Sequence, residues 1–234
     1  MLDQSDISAE SKRFNETRAR TVIKNLQKRN LNGIYVADRK EAISAVLDMI
    51  PPDVSISRGN SVTLFQLDIM SELKKRNRNT IIDPFPKDFD EISDFQQTVE
   101  MARQALTCDV FLTSTNAITI DGKLVNIDGQ GNRVAAMIFG PRKVIVIAGV
   151  NKIVPDVEAA LDRIHSIATP TTAIWHELKH NDPNVANVPC AQTGKCTDCN
   201  SEWRGCRYTV IIEGAMPPQK DRINVVLVGE ELGI

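Results

Sequence analysis

Short runs of β-branched and apolar residues recur through this chain, and stretches with helical periodicity separate them. Asp109–Thr113 (DVFLT), Lys143–Ala148 (KVIVIA) and Ile223–Val228 (INVVLV) are the clearest runs. Strands this apolar need cover on both faces, and parallel strands need crossover connections; together these predict a mainly parallel sheet with helices on both faces. Further strands are expected at Gly33–Ala37, Val54–Ser57 and Thr80–Asp83. Ser8 reads as the N-cap of a polar helix running to about Asn30. Other helices are expected over Arg39–Ile50, from Val62 onward, over about Glu91–Leu106, over Asn132–Phe139 and over Asp156–Ala168. Asp121-Gly122 suits a tight hairpin between two strands within residues 116–127.

The rhythm fails at about Pro183, where a polar stretch rich in Asn, Cys, Gly and Pro begins. The expected organisation is an N-terminal helix (1–32), an α/β body (33–182), a cysteine-rich loop (183–208) and C-terminal strands at Thr209–Ile212 and Ile223–Val228 that return as a pair to complete the body (209–234). At 234 residues the chain can bury one full core. Its net charge of −2 offers no broad attraction to nucleic acid or to an anionic membrane. Two Trp and two Tyr do not make a base-stacking platform. No apolar run approaches the length of a membrane helix, and the polar first residues lack the apolar core of a secretory signal. The expectation is a cytoplasmic protein with reduced thiols.

Four of the five cysteines fall within 17 residues, spaced C-x5-C-x2-C-x6-C: Cys190, Cys196, Cys199 and Cys206. Hardly any apolar residue lies between them, so core packing does not explain them. Four soft thiolates suit an iron–sulfur cluster or zinc. Structural zinc commonly uses two C-x2-C knuckles, and only Cys196 and Cys199 form one. Uneven spacing in a single loop favours a 4Fe–4S cluster, with zinc as the alternative. Lys195, Arg204 and Arg207 can offset its negative charge. Cys108 lies outside the loop and reads as a buried apolar residue. His176 and His180 are four apart in Trp175-His-Glu-Leu-Lys-His180, which resembles the H-E-x-x-H motif only formally and reads as a solvated helix turn.

Three loops carry the ligand chemistry. Gly59-Asn60-Ser61 with Thr63 follows a strand and opens a helix, where free N–H groups meet small anions. Asn116 follows the fourth strand, and Gly129-Gln-Gly131 leads into a helix at Asn132, with Arg133 able to hold a carboxylate bidentately. Asn151 and Lys152 follow the most apolar strand. Each loop also suits an ordinary capped turn.

Taken together these loops carry a resemblance. Gly59-Asn-Ser-Val-Thr-Leu64, Leu112-Thr-Ser-Thr-Asn-Ala-Ile-Thr119, Asp121-Gly-Lys-Leu-Val-Asn-Ile-Asp-Gly-Gln-Gly-Asn-Arg133, Gly140-Pro-Arg-Lys-Val144 and Ala148-Gly-Val-Asn-Lys152 resemble the lactate-utilisation (LUD) domain family, of the single-domain type with cysteines. The similarity extends over about residues 10–215. It implies a fold like the sugar-phosphate isomerase and CoA-transferase group. It also implies a role in oxidation of lactate or a related 2-hydroxy acid within a multi-protein system. The expected partners are a small carboxylate or phosphate-bearing ligand and other lactate-oxidation subunits or a redox partner; a homodimer stays open. An isomerase or transferase of that fold group needs a carboxylate base or a nucleophilic Glu. Between Leu106 and Val154 the only carboxylates are Asp109, Asp121 and Asp128. Asp109 begins a strand and reads as structural, which leaves Asp121 and Asp128 as catalytic candidates. The competing readings are therefore a 4Fe–4S electron-transfer protein that binds a small anion, a zinc-stabilised assembly subunit without turnover, and a sugar-phosphate isomerase or CoA-transferase-like enzyme.

Overall fold

The structure is a computed structural model that describes residues 6–86, 95–180 and 183–234. Six parallel strands form the main sheet: β1 (Asn32–Val36), β2 (Ser55–Arg58), β3 (Thr80–Ile82), β4 (Val110–Thr113), β7 (Lys143–Gly149) and β10 (Ile223–Val228), in the order β1-β10-β7-β4-β2-β3. A second, four-stranded sheet runs β8-β5-β6-β9, from β5 (Ala117–Thr119), β6 (Leu124–Asp128), β8 (Ile153–Val154) and β9 (Tyr208–Ile212). β5 and β6 are the antiparallel pair expected around Asp121-Gly122.

Side-chain alternation along the central strands builds two apolar layers. Val144, Val146, Val225 and Leu227 face Ala19, Val22 and Leu26 of the first helix, α1 (Ser8–Lys28). Ile145, Ile147, Val226 and Val228 face α2 (Arg39–Asp48), α3 (Val62–Leu67) and α4 (Ile69–Arg76) through Ala42, Val46, Leu64, Ile69 and Leu73. The second sheet repeats the pattern. Ile118 and Leu124 join the α1 layer, whereas Ala117, Val125 and Ile127 pack on α7 (Val157–Arg163).

Local chemistry sets the element ends. Asp38 accepts from the Glu41 N–H at 2.9 Å, and Glu41 reaches back to the Ala37 N–H at 2.8 Å, a reciprocal cap that starts α2. Ser8 does not cap α1; its N–H donates to Asp6 Oδ1 at 2.9 Å, so the aspartate takes that role. α3 and α4 form one bent unit, broken at Asp68, whose φ is +52°. The expected helix over Glu91–Leu106 is seen as α5 (Phe95–Gln104) and a 3-10 turn at Ala105–Thr107, and residues 91–94 lie outside the described residues. α7 does not stop at Ala168. It passes through a π-helical turn, Ile164–Ala168, into α8 (Thr169–His180).

The last two strands do not pair with each other as expected. All six residues of β10 are buried, so it needs neighbours and cover on every side and inserts between β1 and β7. β9 is largely exposed and joins the second sheet antiparallel to β6.

Candidate functional site at the strand edge

β2, β4, β7 and β10 are parallel, so the loops that follow them converge on one edge of the sheet. Gly59 opens the loop after β2, with its N–H bonded to Leu112 O at 3.0 Å. A Cβ there would sit 3.1 Å from Arg133 Cγ, so glycine lets this loop lie against the arginine stem without the stem having to shift. Ser61 is buried at the start of α3 without making a side-chain cap, and Thr63 is buried two residues further on. The side chains of Asn60 and Asn132 are half-buried and make no hydrogen bond among the described residues.

Lys152 lies at the centre of this edge and is 3% exposed. Its Nζ donates to Ser114 Oγ at 3.0 Å and to Thr63 Oγ1 at 3.3 Å. No carboxylate pairs with it among the described residues. Burial pushes its pKa down to about 7, and the nearby Arg163 and Arg133 guanidiniums push the same way. Arg163 spans the edge: Nε donates to Asn151 O at 3.2 Å and Nη1 to Asn116 O at 2.8 Å. The Asn151 side chain accepts from Leu232 N at 3.1 Å and thereby anchors the residues after β10.

Arg133 holds a carboxylate as its sequence context suggests, but the carboxylate belongs to the protein. Its Nε lies 3.2 Å from Asp128 Oδ2. Nη1 donates to Asn126 Oδ1 (2.6 Å) and Ser114 O (3.2 Å), and Nη2 to Ile127 O (2.8 Å) and Asn116 Oδ1 (3.1 Å). Asp128 Oδ1 in turn accepts from Gln130 N at 3.1 Å and Gly131 N at 2.7 Å. Gly131, at φ +85°, then leads into α6 (Asn132–Ile138). This bracket ties β4, β6 and α6 together and sets the wall beside Lys152. Asn126 Nδ2 is buried there with no hydrogen-bond partner among the described residues.

Asp121 lies at the far end of the β5–β6 hairpin. It pairs with Arg29 at 2.7 Å and Lys123 at 3.8 Å, and Thr119 donates to it in a short contact. The edge thus brings together Gly59, Ser61, Thr63, Asn116, Gly131, Arg133, Asn151 and Lys152, and leaves Asp121 apart. Asp109 is structural, accepting from Ser55 N at 2.9 Å and Ser55 Oγ at 2.7 Å. Cys108 is buried, and burial pushes its thiol up to about 11.

Sequence reasoning missed three participants. Ser114 lies between residues that were singled out, with a hydroxyl just after an apolar strand as its signal. Arg163 is hidden in a helix pattern, directly after its acidic neighbour Asp162. Arg58 is the third: its side chain is 2% exposed, pairs with Asp83 at 2.7 Å and stacks over Phe65 at 4.5 Å. A cation at the end of a short strand, just before Gly59, was its signal. An apolar groove lined by Leu106, Cys108, Ile138 and Phe139 opens at the opposite edge and adds nothing to this site.

The cysteine loop is fastened at both ends. Cys190 packs with Ala173 of α8 and with Val188, and Cys206 packs on the Ile127–Ala160–Ile164 cluster. Its last turn touches the bracket: Arg207 N donates to Asp128 O at 3.0 Å, and a Cβ on Gly129 would lie 3.2 Å from Gly205 O. Burial raises the Cys190 thiol, and Cys206, Cys199 and Cys196 each add to the rise, so the four sulfurs share one field. Hydrogen bonds from Ser201 hold the Cys199 thiol low. Arg204 Nη1 donates to Cys199 O, and its Nε is buried with no partner among the described residues, an N–H that can meet an acceptor within the loop. The donor chemistry fits a four-thiolate centre. The sulfurs are not drawn together into one: among the described residues no three His, Cys, Asp or Glu side chains are arranged to hold an ion. His180's side chain lies outside the described residues.

Fold and edge together define an α/β protein with a mainly parallel sheet and polar side chains gathered at its strand-end loops. A model of the LUD domain matches residues 19–228, and the chain belongs to that family. Among solved structures it is similar to a DUF162-family protein from Deinococcus radiodurans, at 9% identity and a TM-score of 0.50, over 92% of this chain and 97% of that one. A ribose 5-phosphate isomerase A from Neisseria gonorrhoeae matches at 13% identity and a TM-score of 0.33, over 51% of this chain and 54% of that one. No curated protein matches. Among the described residues no helix is long and apolar enough to cross a membrane.

Proposed function

We propose that this chain is a LUD-type protein of 2-hydroxy-acid utilisation, lactate being the simplest candidate. On this reading it binds a small carboxylate at the Lys152 edge and carries a 4Fe–4S cluster on Cys190, Cys196, Cys199 and Cys206. The observation that carries the ligand half is Lys152: a buried amine with hydroxyl partners, flanked by guanidiniums and lacking a protein carboxylate. Such a group lowers its cost when an anion enters, and perturbed lysines of this kind concentrate at functional sites. Family membership supports the lactate-utilisation context.

In this reading Thr63, Ser114 and Lys152 bind the ligand, Arg163 orients it, and the Arg133–Asp128 bracket keeps the wall rigid. Asp128 and Asp121 are engaged by protein donors, which favours binding and electron transfer over isomerase or transferase turnover. A bound cluster supplies one-electron transfer, with Arg204 and Arg207 offsetting its charge. Partner subunits would meet the exposed cysteine loop.

Calorimetric titration with L-lactate and with pyruvate tests the ligand half. The expected result is saturable binding that Lys152→Met weakens at least tenfold. No heat from either acid, with the folded protein confirmed by circular dichroism, would overturn it.

A further inference from the structure

Lys152 has a property that anion binding alone does not use: an amine that loses its proton near neutrality is a nucleophile. Desolvation and neighbouring cations are the two standard ways of producing such a lysine, and both operate here. The geometry around Nζ places two hydroxyls within reach of the amine. Ser114 Oγ at 3.0 Å and Thr63 Oγ1 at 3.3 Å are hydroxyls that can donate to a carbonyl oxygen or accept from the amine. Arg163 spends Nε and Nη1 on backbone carbonyls, and its Nη2 makes no hydrogen bond among the described residues. That leaves one guanidinium nitrogen for a carboxylate, next to the residue that precedes the amine.

The chain after β10 covers the site. Glu230 O accepts from Val150 N at 3.2 Å, Leu232 N donates to Asn151 Oδ1 at 3.1 Å, and Gly233 N donates to Gln66 Oε1 at 2.7 Å. A Cβ on Gly233 would lie 2.9 Å from Lys152 Nζ and closer still to Thr63 Oγ1. Glycine is therefore needed for the backbone to close over the amine and exclude water. One main-chain pair and two bonds from main-chain N–H groups to side-chain oxygens hold these few residues, and a ligand would enter by lifting them.

We propose that Lys152 forms an imine with a small 2-oxo acid, with Arg163 Nη2 receiving the carboxylate. The proposal rests on the small-carboxylate reading of this edge and adds the substrate's carbonyl. The Nζ lone pair adds to the carbonyl carbon to give a carbinolamine. The C–O bond then breaks, the two amine hydrogens leave with the oxygen as water, and a C=N bond joins substrate to lysine. No electrons change hands, so no oxidant or reductant is required. Ser114 and Thr63 are placed to relay the proton to the departing oxygen.

The test is borohydride trapping on the full chain with pyruvate as probe, followed by peptide mapping, with calorimetric titration of pyruvate in parallel. The expected result is one reduced pyruvyl adduct per chain, on Lys152, that depends on both pyruvate and borohydride and saturates with pyruvate. Arg163→Met should raise the pyruvate concentration for half-trapping at least tenfold. Binding of pyruvate without any adduct would overturn the imine and leave the small-carboxylate site standing. Neither binding nor adduct would overturn both. Adducts on exposed lysines at the same rate as Lys152 would also overturn the imine. The map of the unaltered protein decides the matter without a variant.

Discussion

A lysine buried among hydroxyls and guanidiniums costs stability, and that cost has a pH signature. The unfolded chain holds the Lys152 proton up to the ordinary lysine value of 10.5, whereas the folded chain releases it near 7. Between those values the unfolded state binds more protons, so stability rises with pH, by at most about 1.4 kcal/mol per unit. Below the folded value the penalty is fully present; above 10.5 it is gone. In urea denaturation the unaltered protein should gain stability relative to Lys152→Met as the pH rises from 7 to 10. A difference that stays constant over that range would mean the amine keeps its proton.

Arg133 is the residue whose role the sequence least foretold. Its place after Gly129-Gln-Gly131 suggests a ligand contact, yet its donors go to Asp128, Asn126, Asn116 and two carbonyls. Those partners come from segments up to 19 residues away, which no local spacing discloses. Arg133→Ala leaves Asp128 buried without its partner and should cost ~3–5 kcal/mol in a denaturant titration. A loss below about 1 kcal/mol would show the bracket to be dispensable.

At the scale of elements, most of the main sheet is legible because its strands are apolar on both faces and bounded by turn residues. β10 shows where legibility ends. Its run INVVLV announces a central strand, but strand order depends on which neighbours cover it, and that is a property of the whole sheet. The helix expected over Asp156–Ala168 instead runs on through Pro170 into α8. A π-helical turn widens the backbone just ahead of it and accommodates a residue without an N–H. The β5–β6 hairpin was legible from Asp121-Gly122, but its contact with α1 was not. Gly122 has φ +89°, and a Cβ would sit 2.9 Å from Leu26 N. Gly122→Ala should therefore cost more than the ~1–2 kcal/mol of a positive φ alone. Gly194→Ala is the control, since Gly194 also has positive φ but nothing within 4 Å. Equal losses in melting temperature for the two variants would remove the packing between hairpin and helix from the account.

On the scale of the whole molecule, two chemistries share one frame. The strand edge offers a buried amine and guanidiniums, and the cysteine loop is clamped beside it through Cys206, Arg207 and Gly205. The sequence displays the four thiols plainly because their spacing is local. It does not display their nearness to the Lys152 edge, which arises because β9 brings the end of the loop back alongside β6. Anaerobically isolated protein, assayed for iron and acid-labile sulfide and examined by EPR after dithionite reduction, tests the central claim most directly. The account predicts about four irons and four sulfides per chain and a signal of a reduced 4Fe–4S cluster, both lost when Cys196 and Cys199 are replaced by Ser. A colourless protein with stoichiometric zinc, or with no bound metal, would contradict it.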